Sequence, residues 1–151
     1  MIEAERVRSR TVAPAIGLAG LLVIVVGTFL PWLRSGRTTR NSYQTGGAVR
    51  RLIGTTGIVD DLLGLWPLVG LACAVAVALF LFGARTVGTV IAGLSAMGAG
   101  TASIGALATT ATSYAKVSII GPVVTLVGAT LVALAVLLRA LAAVAVPRSP
   151  R

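Results

Sequence analysis

Four long stretches of this chain contain no charged side chain: residues 11–33, 62–84, 86–115 and 117–138. A helix needs roughly 20 predominantly apolar residues to cross about 30 Å of hydrocarbon, and each stretch meets that length. A helix of a soluble protein keeps one face polar, so uncharged runs this long are not those of a globular core. Only 11% of the residues are charged, against roughly a quarter in a soluble domain, and they fall between the runs. The expected fold class is an all-α integral membrane protein. It is a single domain of four transmembrane helices in an antiparallel bundle, with spans at about 12–33, 63–84, 87–109 and 117–139.

The one sizeable connection, residues 34–62, joins the first two spans and is bounded by Pro31-Trp32 and Trp66-Pro67. It carries Arg34, Arg37, Arg40, Arg50 and Arg51, with the pair Asp60-Asp61. Guanidinium forks match phosphate and carboxylate oxygens. These arginines, with the interfacial Trp32 and Trp66, are therefore the candidate contacts for anionic lipid headgroups or for a partner subunit. The alternative is that they snorkel as anchors on a solvated loop. Within the loop, Ala48, Val49, Leu52, Ile53, Ile58, Val59, Leu62 and Leu63 recur at helical spacing opposite Arg50-Arg51. That pattern fits a helix lying on the membrane, interrupted at residues 54–57, or a hairpin-like excursion packed on a partner. Adjacent aspartates on a helix diverge, so Asp60-Asp61 reads as a helix start or as the partner of Arg50 or Arg51, not as an acid–base dyad.

The net charge of +9 would point to nucleic acid in a soluble protein. Here the cations sit at span ends and in the loop, beside a single aromatic, Tyr43, where base binding needs stacking platforms. Anionic headgroups are the expected partner and nucleic acid is not. The chain has no histidine, and no Asp, Glu, Lys or Arg lies inside a span. Intramembrane ionisable groups mark proton relays and ion paths. We therefore assign no catalytic residue, no cofactor and no metal ligand. Cys73, the single cysteine, has no intrachain disulfide partner and reads as a small packing residue.

The third span is unusually rich in small side chains, with rows at Ala92-Ala96-Gly100 and Ser95-Ala99-Ser103. Small residues let helix backbones approach closely, and close packing drives association in lipid. Gly93, Ala96, Gly98, Gly100 and Ser103 are the candidate helix-packing positions. Small residues on nearly every face call for a helix enclosed by protein, hence for other integral membrane subunits around it. The turn at 83–86 makes spans two and three antiparallel neighbours. Residues 13–20 (APAIGLAG) echo residues 121–128 (GPVVTLVG), in the manner of an internal repeat or by coincidence in Ala/Val/Gly-rich sequence.

The first run is too long for a signal-peptide core, and Pro31-Trp32-Leu33-Arg34 is not a cleavage site, so it reads as a retained anchor. With four spans, Lys and Arg divide almost evenly between the two sides, while Trp32, Tyr43, Trp66 and Tyr114 all fall on the loop side. The expected placement is the bacterial plasma membrane with cytoplasmic termini and an external loop.

The pattern Pro31-Trp32-Leu33-Arg34-Ser35-Gly36, followed by Arg40-Asn41-Ser42-Tyr43, resembles that of small four-span membrane proteins of actinobacteria. Some of these are similar to auxiliary subunits of envelope machines, the Mce-type lipid importers and the respiratory supercomplexes. The resemblance implies a non-catalytic accessory or assembly subunit of a larger complex, foremost one handling lipids, and supplies no catalytic residue. A small oligomeric transporter or channel, working through Thr28, Ser95, Thr101, Ser103 and Thr125, is the competing expectation.

Overall fold

The computed structural model describes residues 2–35, 38–53, 57–108 and 116–144, leaving aside the side chains of residues 2–11, 35, 49, 51–53, 58, 59, 62, 116 and 117. In chain order it contains α1 (Ile2–Phe29), β1 (Leu33–Ser35), β2 (Thr38–Arg40), α2 (Ser42–Ile53), α3 (Ile58–Leu65), α4 (Leu68–Leu81), α5 (Arg85–Ala108), β3 (Lys116–Val117) and α6 (Ile120–Val144).

Three helical segments are long and apolar enough to cross a membrane: Val12–Phe29 within α1, all of α5, and all of α6. The second expected span differs. It divides at Trp66-Pro67 into α3 and the 14-residue α4, and α4 alone is about 21 Å long at 1.5 Å per residue. Pro67 has no N–H to donate to the preceding turn, and its ring crowds that turn. Trp66 and Pro67 nevertheless keep right-handed helical angles (φ −52°, ψ −40°; φ −59°, ψ −23°), so the break is a kink in one helical path.

Helix α1 also differs from expectation, running through the charged N-terminal residues and stopping at Phe29, just before Pro31. The described residues of the connection expected at 34–62 form regular secondary structure rather than an open loop. The connection holds the β1–β2 pair, the amphipathic α2 and the short α3, and β3 joins to give a sheet in the order β2-β1-β3. Asn41 and Gln44 close the start of α2 reciprocally: the Gln44 N–H donates to Asn41 Oδ1 (2.9 Å) and the Asn41 N–H to Gln44 Oε1 (3.3 Å). This is a capping box. At the other end of the molecule Gly83 (φ 83°) makes the turn from α4 to α5, in a conformation that costs a glycine nothing.

The most extensive contact is between α1 and α6. Gly17 lies against Ala135, Gly20 against Val132 and Gly128, and Gly27 against Thr125. The numbers run in opposite senses, so these two helices have opposite chain directions. Gly100 against Ala129 and Gly93 towards Val136 set the same relation between α5 and α6. Leu21, Ile24, Cys73, Ala76, Ala92, Ala96, Ala99, Ala129 and Val132 form the buried core. Outside it, Leu22, Val26, Leu71, Leu94, Met97, Ile104, Val127 and Leu134 are exposed. An apolar exterior this broad is unusual for a water-soluble monomer and suits a hydrocarbon surrounding.

Candidate functional site

Trp32 and Trp66, which bound the 34–62 connection, meet in a cap at the end of the bundle where α1 ends and α6 begins. Trp32 is its centre. Its backbone N–H donates to Arg40 O (2.8 Å), and its own carbonyl accepts from Ser118 N–H (3.0 Å). The indole Nε1 donates to Gly27 O (2.9 Å), and the ring meets Trp66 edge-on with centroids 5.7 Å apart. Trp32, expected to touch lipid or a partner, is only 6% exposed. It fastens the sheet to α1 and α6 instead. Trp66 is half-buried, and its Nε1 has no hydrogen-bond partner among the described residues.

A second fastening comes from α2. The buried Ser42 hydroxyl donates to Thr28 O (2.7 Å). Tyr43 Oη lies 3.2 Å from the Thr28 hydroxyl, and its ring tilts against Phe29 at 5.5 Å. Thr28, a candidate for lining a neutral path, is fully buried and also donates to Val25 O (2.7 Å). Ser95 and Ser103 donate to Ile91 O and Ala99 O, and Thr101 donates to Met97 O. These hydroxyls are satisfied by their own helices, as hydroxyls inside helices commonly are, whereas the buried Thr125 Oγ1 has no hydrogen-bond partner among the described residues.

The described arginines do not converge. Register pairs Arg34 with Thr39 and Leu33 with Arg40. Directly paired residues share a face and neighbours alternate, so Arg34 and Arg40 lie on opposite faces of the sheet. Their spacing of three reads as one patch only on a helix. Arg34 is exposed and Arg40 half-buried, while Arg37 and the Arg51 side chain lie outside the described residues. Arg50 forms a two-pronged ion pair with Asp60 (Nε–Oδ1 and Nη2–Oδ2, both 2.7 Å), clipping α2 to α3. The bond to Asp60, reinforced by its charge, raises the Arg50 pKa above its ordinary value, so the guanidinium stays charged at any physiological pH. Being open to solvent, it contributes little to stability. Arg50→Ala is expected to leave the melting temperature unchanged; a clear drop in a thermal melt would show that the α2–α3 clip holds the cap.

The packing residues of α5 divide between two faces. Ala96, Gly100 and Ser103 are buried and Gly93 only grazes Val136, whereas Gly98 is exposed with open space around it. The chain's own helices therefore do not enclose α5; one face turns outward. The short echo between residues 13–20 and 121–128 touches the α1–α6 contact at one pair of positions. Its last members, Gly20 and Gly128, face each other across the α1–α6 contact. A glycine at matched places in two spans was the only sequence signal for that meeting.

Among the described residues, no three of His, Cys, Asp and Glu come together. No protein-family model matches the chain, and no curated protein or solved structure shows significant similarity to it.

Proposed function

We propose that this chain is a non-catalytic accessory subunit of a larger bacterial plasma-membrane complex, crossing the membrane four times as an antiparallel bundle with cytoplasmic termini. The kinked α3–α4 path supplies the second crossing, and the cap lies outside. The resemblance of residues 31–43 to small actinobacterial subunits favours a complex that handles lipids.

The outward face of α5 carries this reading. A glycine inside a helix costs about 1 kcal/mol relative to alanine, unless a close contact uses it. Gly20, Gly27, Gly121 and Gly128 are all used, since a Cβ at any of them would collide with a neighbouring element. Gly98 and Gly105 are not used: among the described residues, nothing lies within 4 Å of where their Cβ atoms would be. They are seven residues apart, on one face of α5, with the exposed Thr101 between them and Leu94, Met97 and Ile104 alongside. A second helix backbone approaching there uses both glycines, and dispersion across the close contact drives the association.

The test separates this surface from the fold. Gly98→Leu with Gly105→Leu is expected to reduce co-purification of partner subunits from native membranes at least about tenfold, with insertion and melting temperature unchanged. Gly100→Leu should instead destabilise the chain itself, because its Cβ position is already 3.5 Å from Ala129 Cβ. Recovery of the wild-type chain alone, as a defined homo-oligomer, would overturn the accessory reading in favour of a small transporter or channel.

A further inference from the structure

At the end of the bundle opposite the cap, a cavity of about 510 Å³ opens between α1, α4, α5 and α6. Pro14, Phe80, Ala92 and Val136 are among its apolar walls, and Arg85 and Arg139 line it as well. The volume falls in the range of roughly 300–1,000 Å³ typical of small-ligand sites. The two arginines come from helices far apart in sequence, at the start of α5 and near the end of α6.

From each arginine the wall runs inward by seven residues, to Ala92 on α5 and to Val132 on α6. That is about 10 Å at 1.5 Å per residue, and both end points are buried. The shape is thus an apolar shaft lined by a cationic side chain on each of two walls. Among the described side chains, the one salt bridge is Arg50 with Asp60, at the cap end. The apolar exterior sets this end of the bundle at a membrane surface, where the available amphiphiles are lipids.

We infer that this cavity is a binding site for an anionic phospholipid, with one acyl chain in the shaft and the phosphate held by Arg85 and Arg139. A bare apolar chain would not need the arginines, and a soluble anion would not need the shaft. Each is accounted for when one molecule carries both parts. Basic pockets between membrane helices bind anionic headgroups in this way, and Arg85 and Arg139 provide forks suited to phosphate oxygens. The inference depends on the membrane location alone and stands whether or not α5 meets a partner.

The experiment uses the full chain, purified in a neutral detergent and delipidated. Phosphatidylglycerol or phosphatidylcholine is then added, with binding read by native mass spectrometry and by melting temperature. The wild type should prefer phosphatidylglycerol by about thirtyfold, with an upward melting shift, from two arginines acting on one headgroup. Arg85→Gln with Arg139→Gln should bring the preference to within about threefold, with phosphatidylcholine binding unchanged. Equal retention of the two lipids by the wild type would overturn the assignment, and that comparison needs no variant. Unchanged preference in the folded double variant would overturn the role of the arginines. Oleate competing as well as phosphatidylglycerol would overturn the phospholipid in favour of a simple carboxylate amphiphile.

Discussion

Gly128→Leu is expected to yield no stable folded protein, and Gly128→Ala a protein with a markedly lowered melting temperature. A Cβ at position 128 would lie 2.6 Å from Ile24 N and 2.8 Å from Gly20 O. Both are backbone atoms of α1, so no rotamer change relieves the collision, and α1 and α6 must move apart. They form the largest contact in the molecule. Separating them also loosens Gly20 on Val132 and Gly27 on Thr125. Overpacking a core by a methyl group typically costs about 1–3 kcal/mol, and a rigid backbone neighbour places alanine near the top of that range. In lipid no hydrophobic term restores the contact once dispersion is lost. Thermal melts of purified Gly128→Ala against Gly98→Ala make the comparison. Equal melting temperatures would mean that the α1–α6 approach is not what holds the bundle.

The second large effect is expected at the cap. Trp32→Ala removes a side chain that is 6% exposed, at a cost of about 3–5 kcal/mol for a buried large aromatic. The indole also occupies the space where a Cβ on Gly121 would sit, and it meets the edge of Trp66. The hole therefore opens between the start of α6, the end of α1 and the kink before α4. The backbone bonds from Trp32 to Arg40 and Ser118 then lose the side chain that fixes their position. Limited trypsin digestion should cut the variant after Arg34 and Arg40 much faster than the parent, alongside a lowered melting temperature. Trp32→Phe keeps most of the packing and loses only the donation to Gly27 O, for about 1 kcal/mol. Unaltered digestion of Trp32→Ala would remove Trp32 as the fastening of the cap.

How much of this was legible in the sequence varies by element. The uncharged runs located α1, α5 and α6 to within a few residues at most ends, because hydrocarbon tolerates no unpaired backbone group and makes a long apolar run helical. The rows Ala92-Ala96-Gly100 and Ser95-Ala99-Ser103 were legible as close-packing positions, and all six are buried within the chain's own bundle. The kink at Trp66-Pro67 was written in the proline, although its consequence for the length of the second span was not drawn from it. Arg50 with Asp60 was one of the pairings foreseen, since charge and the helix start both favour it.

What only the tertiary structure decided concerns direction and distance in sequence. Gly98 and Gly100 are two residues apart, yet one faces outward and the other lies on Ala129. Two residues turn a helix through about 200°, and composition does not say which side meets α6. Arg34 and Arg40 share a spacing that suits one helical face, but the hairpin register puts them on opposite sides of a sheet. Arg85 and Arg139 carry no shared motif and line one cavity only because α5 and α6 pack side by side. Sequence alone determined where the chain is apolar, and therefore that it folds as membrane-type helices. Which small residues touch, and which cations gather around one opening, follows from how the helices pack, because those neighbours come from distant parts of the chain.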